Sequence, residues 1–140
     1  MQVERDYTKV INRKYPEGVA IAIAKDSAGK HNPITLGWTM ITSHRPPMMA
    51  IAVSLTHYSR RVIEEAGEFV LSFPSSSMAE AALSDAVANF ECKLESQMET
   101  GDHMLFVGRV VTSHMNSGES VKRLYTLAPG YKMGGVRGDI

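Results

Sequence analysis

The chain has 140 residues, the size of one domain whose core buries roughly two thirds of the unfolded surface. Its 15 Lys and Arg balance 15 Asp and Glu, so no net field draws it to nucleic acid or an anionic membrane. Five histidines without metal-ligand spacing and a single cysteine, Cys92, speak against a metal centre and an internal disulfide.

Met1 is followed by Gln2-Val3-Glu4-Arg5-Asp6, which lacks the pattern of a secretory signal, and no run approaches the ~20 apolar residues of a membrane span. The expected location is therefore cytoplasmic, where one unpaired cysteine is ordinary. Residues 1 to 16 are polar and end in Asn12-Arg13-Lys14-Tyr15-Pro16, which fits an arm or short helix. From Val19 to Lys25, isoleucines alternate with alanines, a strand with one face against something close. Asp26-Ser27-Ala28-Gly29-Lys30 is a turn by composition and predicts a hairpin.

The returning strand runs through Thr35-Leu36-Gly37-Trp38-Thr39-Met40-Ile41-Thr42-Ser43-His44-Arg45 to Pro46-Pro47. It holds the only tryptophan among hydroxyl side chains, too polar for plain core. A rigid corner at the prolines then leads into a buried strand, Met48 to Ser54. After the polar bend Leu55-Thr56-His57-Tyr58-Ser59, residues Arg60 to Ala66 read as a short helix. Ser59 is its expected N-cap, Val62 and Ala66 share a face with Tyr58, and Gly67 is the left-handed terminator.

Glu68 to Phe73 forms the next strand, and Ser77-Met78-Ala79-Glu80 is a capping box opening a second helix with Ala79, Ala82, Leu83, Ala86 and Val87 on one face. In Phe90 to Glu99, the residues Phe90, Cys92, Leu94 and Met98 alternate with charged and polar ones, predicting a strand with one buried face. Cys92 falls on that buried parity as an inert small hydrophobe. Turns at Thr100-Gly101-Asp102-His103 and Asn116-Ser117-Gly118-Glu119 separate the strands Met104–Val111 and Val121–Leu127. Strands joined by short turns, with helices inserted twice, predict a mainly β domain, an antiparallel barrel or sandwich spanning residues 1–140.

No Gly-x-Ser-x-Gly, Walker loop or His-Glu-x-x-His occurs. Gly134-Gly135-Val136-Arg137-Gly138 does not join a strand to a helix as a dinucleotide loop must. What remains is polar groups on loops. Thr39, Thr42 and Ser43 follow one strand, while Ser54, Thr56, His57, Tyr58, Ser59 and Arg60 lead into a helix. A helix start with hydroxyls and an arginine suits a phosphate; a capped helix beside a polar turn is the other reading, and these residues alone leave both open.

Six short signatures follow one another in a fixed order. They are Tyr15-Pro16-x-Gly-Val, then Thr35-x-Gly-Trp-Thr-Met-Ile-Thr-Ser-His-Arg-Pro-Pro, Val53-Ser54-x-x-x-Tyr58-Ser59, Gly67-Glu-Phe-Val-Leu-Ser72, Glu91-Cys92-Lys93, and Gly101-Asp102-His103-x-x-Phe-Val-Gly-Arg-Val. In that order the chain resembles the flavin reductase-like FMN-binding split-barrel proteins, especially the flavoredoxin branch.

The resemblance implies a six-stranded antiparallel split β-barrel, a homodimer, and FMN in a groove near the interface. It implies that Trp38, Thr39, Met40 and Ile41 line the flavin ring and ribityl chain. The bend carrying Ser54, Leu55, Thr56, Tyr58, Ser59 and Arg60 would hold the phosphate, His103 would approach the flavin or the NAD(P)H donor as the catalytic side chain, and Tyr131 would cover the ring. The implied function is an NAD(P)H-dependent flavin reductase or a flavoredoxin-type electron carrier, with a non-catalytic flavin- or small-ligand-binding protein as the alternative. The chain departs from the family between Phe73 and Phe90, where only Pro74 to Asn89 join the two strands.

Overall fold

The computed structural model describes residues 2–79, 86–118 and 121–136. In chain order the elements are a short helix α1 (Tyr7–Val10) running into a 3-10 turn (Ile11–Lys14), then β1 (Glu17–Gly18), β2 (Ala20–Lys25), β3 (His31–Leu36), β4 (Thr39–His44), β5 (Pro47–Ser54), α2 (Tyr58–Ala66), β6 (Glu68–Phe73), a 3-10 turn (Ser76–Ala79), β7 (Ala88–Thr100), β8 (His103–Met115), β9 (Arg123–Ala128) and β10 (Lys132–Val136). Most of the helix expected from Ser77 onward falls on residues 80–85, outside the described residues.

One antiparallel sheet runs β3-β2-β6-β7-β8-β5-β4. Its first and last strands are consecutive in sequence, interrupted only at Gly37-Trp38. Across that break the ladder continues, because the carbonyl of Trp38 accepts from the amide of Ala52 at 3.0 Å. β3 and β4 are therefore one bent strand that pairs with β2 at one end and β5 at the other. Counted so, the sheet closes as the six-stranded antiparallel split barrel. A second sheet, β1-β9-β10, sets the expected strand at Val121–Leu127, here β9, between two strands that sequence alone did not indicate, β1 and β10.

The alternation in β2 decides what lies beside it. Ala20, Ala22 and Ala24 face the core, and α2 packs on β2 with Val62 and Ile63 fully buried. Alanines there let a helix approach the sheet closely. α2 ends as expected, with Gly67 at φ 66° and its amide donating to the carbonyl of Ile63 at 3.0 Å. Its start differs from expectation. The N-cap is His57, which makes no side-chain cap bond, while Ser59 lies buried as the second residue of the helix. Tyr58 turns outward instead of sharing the buried face of Val62, because it stands at the exposed first position of the helix.

β7 also departs from strict alternation. Phe90, Cys92 and Leu94 pack on the core, but bulges between Glu91 and Cys92 and between Leu94 and Ser96 shift the register. Beyond them the hairpin runs past the core, and Met98 is exposed. Burial pushes the Cys92 thiol up to about 11. At pH 8 roughly one thiol in a thousand would then be ionised, so iodoacetamide should label the native protein far more slowly than the urea-unfolded chain. Equal labelling rates would show that this core position is open.

Gly108 in β8 sits against that same cluster. A Cβ there would come within 2.7 Å of both Cys92 Cβ and Phe69 Cζ. Gly108→Ala should cost about 1–3 kcal/mol by overpacking, read as a lower urea midpoint at unchanged slope. An unchanged midpoint would mean that β7 and β6 stand further from β8 than described.

Candidate functional site

The interruption at Gly37-Trp38 does more than close the barrel. It turns the indole out of the core, leaving Trp38 48% exposed. The β5–β8 register sets Ser54 opposite His103, and the tight turn at Gly101, φ 60°, starts β8 at that level. His103 thereby comes to lie beside Trp38, ring centroids 4.5 Å apart and planes inclined by 37°. Its Nδ1 is 2.6 Å from Asp102 Oδ1. The hydrogen bond from His103, and then its charge, hold the Asp102 carboxyl below the usual carboxylate range. The ring is thus steered by Asp102 on one side and by Trp38 on the other.

These residues border a groove of about 450 Å³ whose walls include Trp38, Ser54, His57, His103 and Tyr131. Four of the residues singled out from sequence, Trp38, Ser54, His103 and Tyr131, meet here. Tyr131 follows Gly130 in the turn between β9 and β10, is itself left-handed at φ 56°, and is largely exposed. An aromatic residue held in that conformation costs roughly 1–2 kcal/mol locally, and here it leaves the ring free at the rim.

The N-terminal arm supplies residues that the sequence reading missed. Asn12, Tyr15 and Glu17 border the groove. Lys14 Nζ lies 5.5 Å above the Trp38 ring and pairs with Glu17 at 2.6 Å. Gly37 is needed for this approach, since a Cβ there would meet the Glu17 carboxyl at 3.3 Å. The available signal was the Tyr15-Pro16 signature, whose role became visible only once β1 was paired with β9. A second hollow, about 390 Å³, lies on the other flank of Trp38, bordered by Thr39, Met40, Lys14 and Ile11.

The rest of the bend after β5 is placed otherwise. Thr56 Oγ1 is 3.0 Å from Ser54 Oγ, and Leu55 packs on the core. Tyr58 faces outward beneath Arg61. Arg60 is engaged by Glu64 at 2.7 Å. Ile41 points away from the groove residues and borders a different cavity with Arg123. What the α2 start does offer is a first turn without a side-chain cap, next to Ser54 and His57. The Arg60 amide donates to the His57 carbonyl at 3.2 Å, and the amides of Tyr58 and Ser59 before it form the kind of helix start that suits an anion. Among the described residues no cluster of three metal-ligating side chains occurs, and no helix is long and apolar enough to cross a membrane.

An exposed ion pair stabilises little, about 0.2–1 kcal/mol, so Glu17→Gln should leave the urea midpoint almost unchanged. It should release Lys14 from the indole and shift the emission of the sole tryptophan. Identical emission spectra would show that the arm does not hold Lys14 over Trp38.

The groove can be set beside known proteins. Among sequence relatives, the probable flavin reductase of Rhizobium meliloti is 25% identical over 129 residues, covering 74% of this chain and 41% of that protein. This chain thus spans less than half the length of that relative. Among solved structures, flavoredoxin from Methanosarcina acetivorans superposes with a TM-score of 0.85 at 20% identity, covering 100% of this chain and 94% of that one. The FMN-binding protein from Thermus thermophilus with bound p-hydroxybenzaldehyde superposes with a TM-score of 0.84 at 19% identity, covering 100% and 98%. The family described as flavin reductase like domain matches in two pieces, residues 12–84 and 76–133, which meet in the segment where the sequence departs from the family. With nearly the whole barrel and every groove strand inside those matches, the chain belongs to the flavin reductase-like family.

Proposed function

We propose that the protein is an FMN-binding flavoprotein that accepts a hydride from NADH or NADPH, working as a flavin reductase or a flavoredoxin-type electron carrier. The observation that carries this reading is the exposed Trp38 stacked near His103 at the mouth of a groove that ends beside the uncapped start of α2. An aromatic wall and an anion-ready helix end, on one groove, suit a flat ring joined to a phosphate. The family and the fold of the flavin-related neighbours point the same way.

Under this reading Trp38, with Thr39 and Met40 on its second flank, takes the ring. Ser54, its neighbour Thr56, and the first-turn amides of α2 take the phosphate. Arg60 contributes less than its position in sequence suggests, because Glu64 already engages it. When bound, FMN supplies the hydride and electron chemistry, so the protein needs no acid–base pair of its own. His103, oriented by Asp102, positions the donor, and Tyr131 closes the rim against water. The arm from Lys14 to Glu17 fixes the indole from above.

A homodimer and a cytoplasmic location belong to the same proposal. Met40 and Ile41 are 58% and 60% exposed on β4, an apolar pair that a second copy would cover. Light scattering should return twice the chain mass.

The test is direct. Protein incubated with FMN and desalted should keep a visible flavin band, and NADH or NADPH should bleach it without oxygen. Trp38→Ala should weaken FMN binding about tenfold, the loss of one aromatic contact, and Ser54→Ala should weaken it by a smaller factor. His103→Ala should slow bleaching while retaining the band. A protein that takes up no FMN contradicts the proposal. Uptake without bleaching by either donor would leave a binding protein and exclude the reductase.

A further inference from the structure

Away from the groove, Arg123 occupies an unusual setting. At the first position of β9, it borders a cavity of about 430 Å³ walled by Met40, Ile41, Met49, Phe73, Val87 and Phe90. Among the described residues Arg123 is the only charged side chain on that wall. Its guanidinium lies 4.1 Å from the centre of the Phe73 ring and 5.3 Å from that of Tyr125. Phe73 in turn meets Phe90 edge-on at 5.9 Å.

Among the described residues the cation has no counter-charge. Arg60 and Arg109 pair with Glu64 and Glu95, but among the described residues no carboxylate pairs with Arg123, and its Nε is buried without a hydrogen-bond partner. A guanidinium cannot escape this by losing a proton. Two aromatic faces compensate part of the lost hydration. The residue is half-buried, and its buried Nε keeps an unmade hydrogen bond that an anion entering the cavity would accept.

We infer that this cavity is a binding site for a flat, apolar monocarboxylate of the benzoate type. The carboxylate sits against Arg123, whose planar fork matches it, and the ring sits among Phe73, Phe90 and the methionines Met40 and Met49, which pack readily on aromatic edges. One unpaired cation within apolar walls matches one negative charge on an apolar body. A phosphate monoester would bring nearly two charges and three acceptor oxygens to a wall that has no second cation among the described residues. Trp38, His103 and Tyr131 do not border this cavity, while Thr39 and Met40 border both it and the hollow on the second flank of the indole; the inference does not rest on flavin binding.

Gly18 in β1 is part of the arrangement. A Cβ at Gly18 would come within 2.6 Å of Arg123 Nη2 and 3.1 Å of its Cζ. The atom in the way is the end of a flexible side chain, so Gly18→Ala should move the guanidinium and leave the barrel intact.

The experiment is calorimetric titration of the purified protein, without FMN, with benzoate and with its neutral counterpart benzamide, followed by the 13Cζ resonance of Arg123. Benzoate should bind at least tenfold more tightly than benzamide, the discrimination expected of a charge-assisted pair, and should shift that resonance. Arg123→Met, which keeps the packed stem, should abolish the preference, and Gly18→Ala should weaken benzoate binding if the methionine variant proves unfolded. Equal affinity for the two probes, or no benzoate binding at all, would overturn the site. So would a resonance that responds to dilution but not to benzoate, since a second copy would then be filling the cavity.

Discussion

The closure of the barrel through a single bent strand is the constraint on which the molecule depends. β3 pairs with β2 and β4 pairs with β5, so the chain between them must cross from one end of the sheet to the other in two residues. Gly37 permits the approach of Glu17, and the Trp38 carbonyl keeps one ladder bond across the gap. The price of closure is a large aromatic ring turned toward solvent. Such a ring is costly to leave bare, and the fold answers by bringing three other segments to it: the arm through Lys14, the β7–β8 hairpin through His103, and the β9–β10 turn through Tyr131.

That arrangement also separates the site from what stabilises the fold. The core is built from β2, β5, β6, β8 and α2, where Ile51, Leu71, Phe106, Val62 and Ile63 are fully buried. The groove is assembled from turns and strand ends around that core. Substitutions at Trp38, Ser54 or His103 therefore act on recognition while the packing that fixes their positions persists. The small sheet β1-β9-β10 has a second effect, because it carries Arg123 to a cavity bordered by β4, where its half-buried guanidinium meets no carboxylate among the described residues.

Much of this was legible from the residues. The alanines of β2 announced a close neighbour, which proved to be α2, and Gly67 announced the end of that helix. The turn at Asp26–Lys30 formed as its composition predicts, with Asp26 Oδ1 accepting from the amides of Ala28 and Lys30. Cys92 lies in the core as its parity implied. Where local signals failed, a tertiary cause is identifiable. Met98 is exposed because two bulges and an overlong hairpin carry it past the core. Ser59 is not the cap because the helix begins two residues earlier than its pattern suggested. β1 was invisible because two residues make no period, and they become a strand only by pairing with β9. The Trp38–His103 contact joins residues 65 apart through the β5–β8 register; no local pattern encodes such a pairing, and only the ordered signatures of the family pointed to it.

The central claim is that the flavin ring lies against Trp38. Because Trp38 is the only tryptophan, its indole N–H gives one assigned proton–nitrogen NMR peak, so a titration with FMN reads this position without any substitution. The account predicts that this peak shifts strongly and saturates with one FMN per chain, together with the ring signals of His103. A saturating titration in which the indole peak stays in place, while signals elsewhere move, would contradict it.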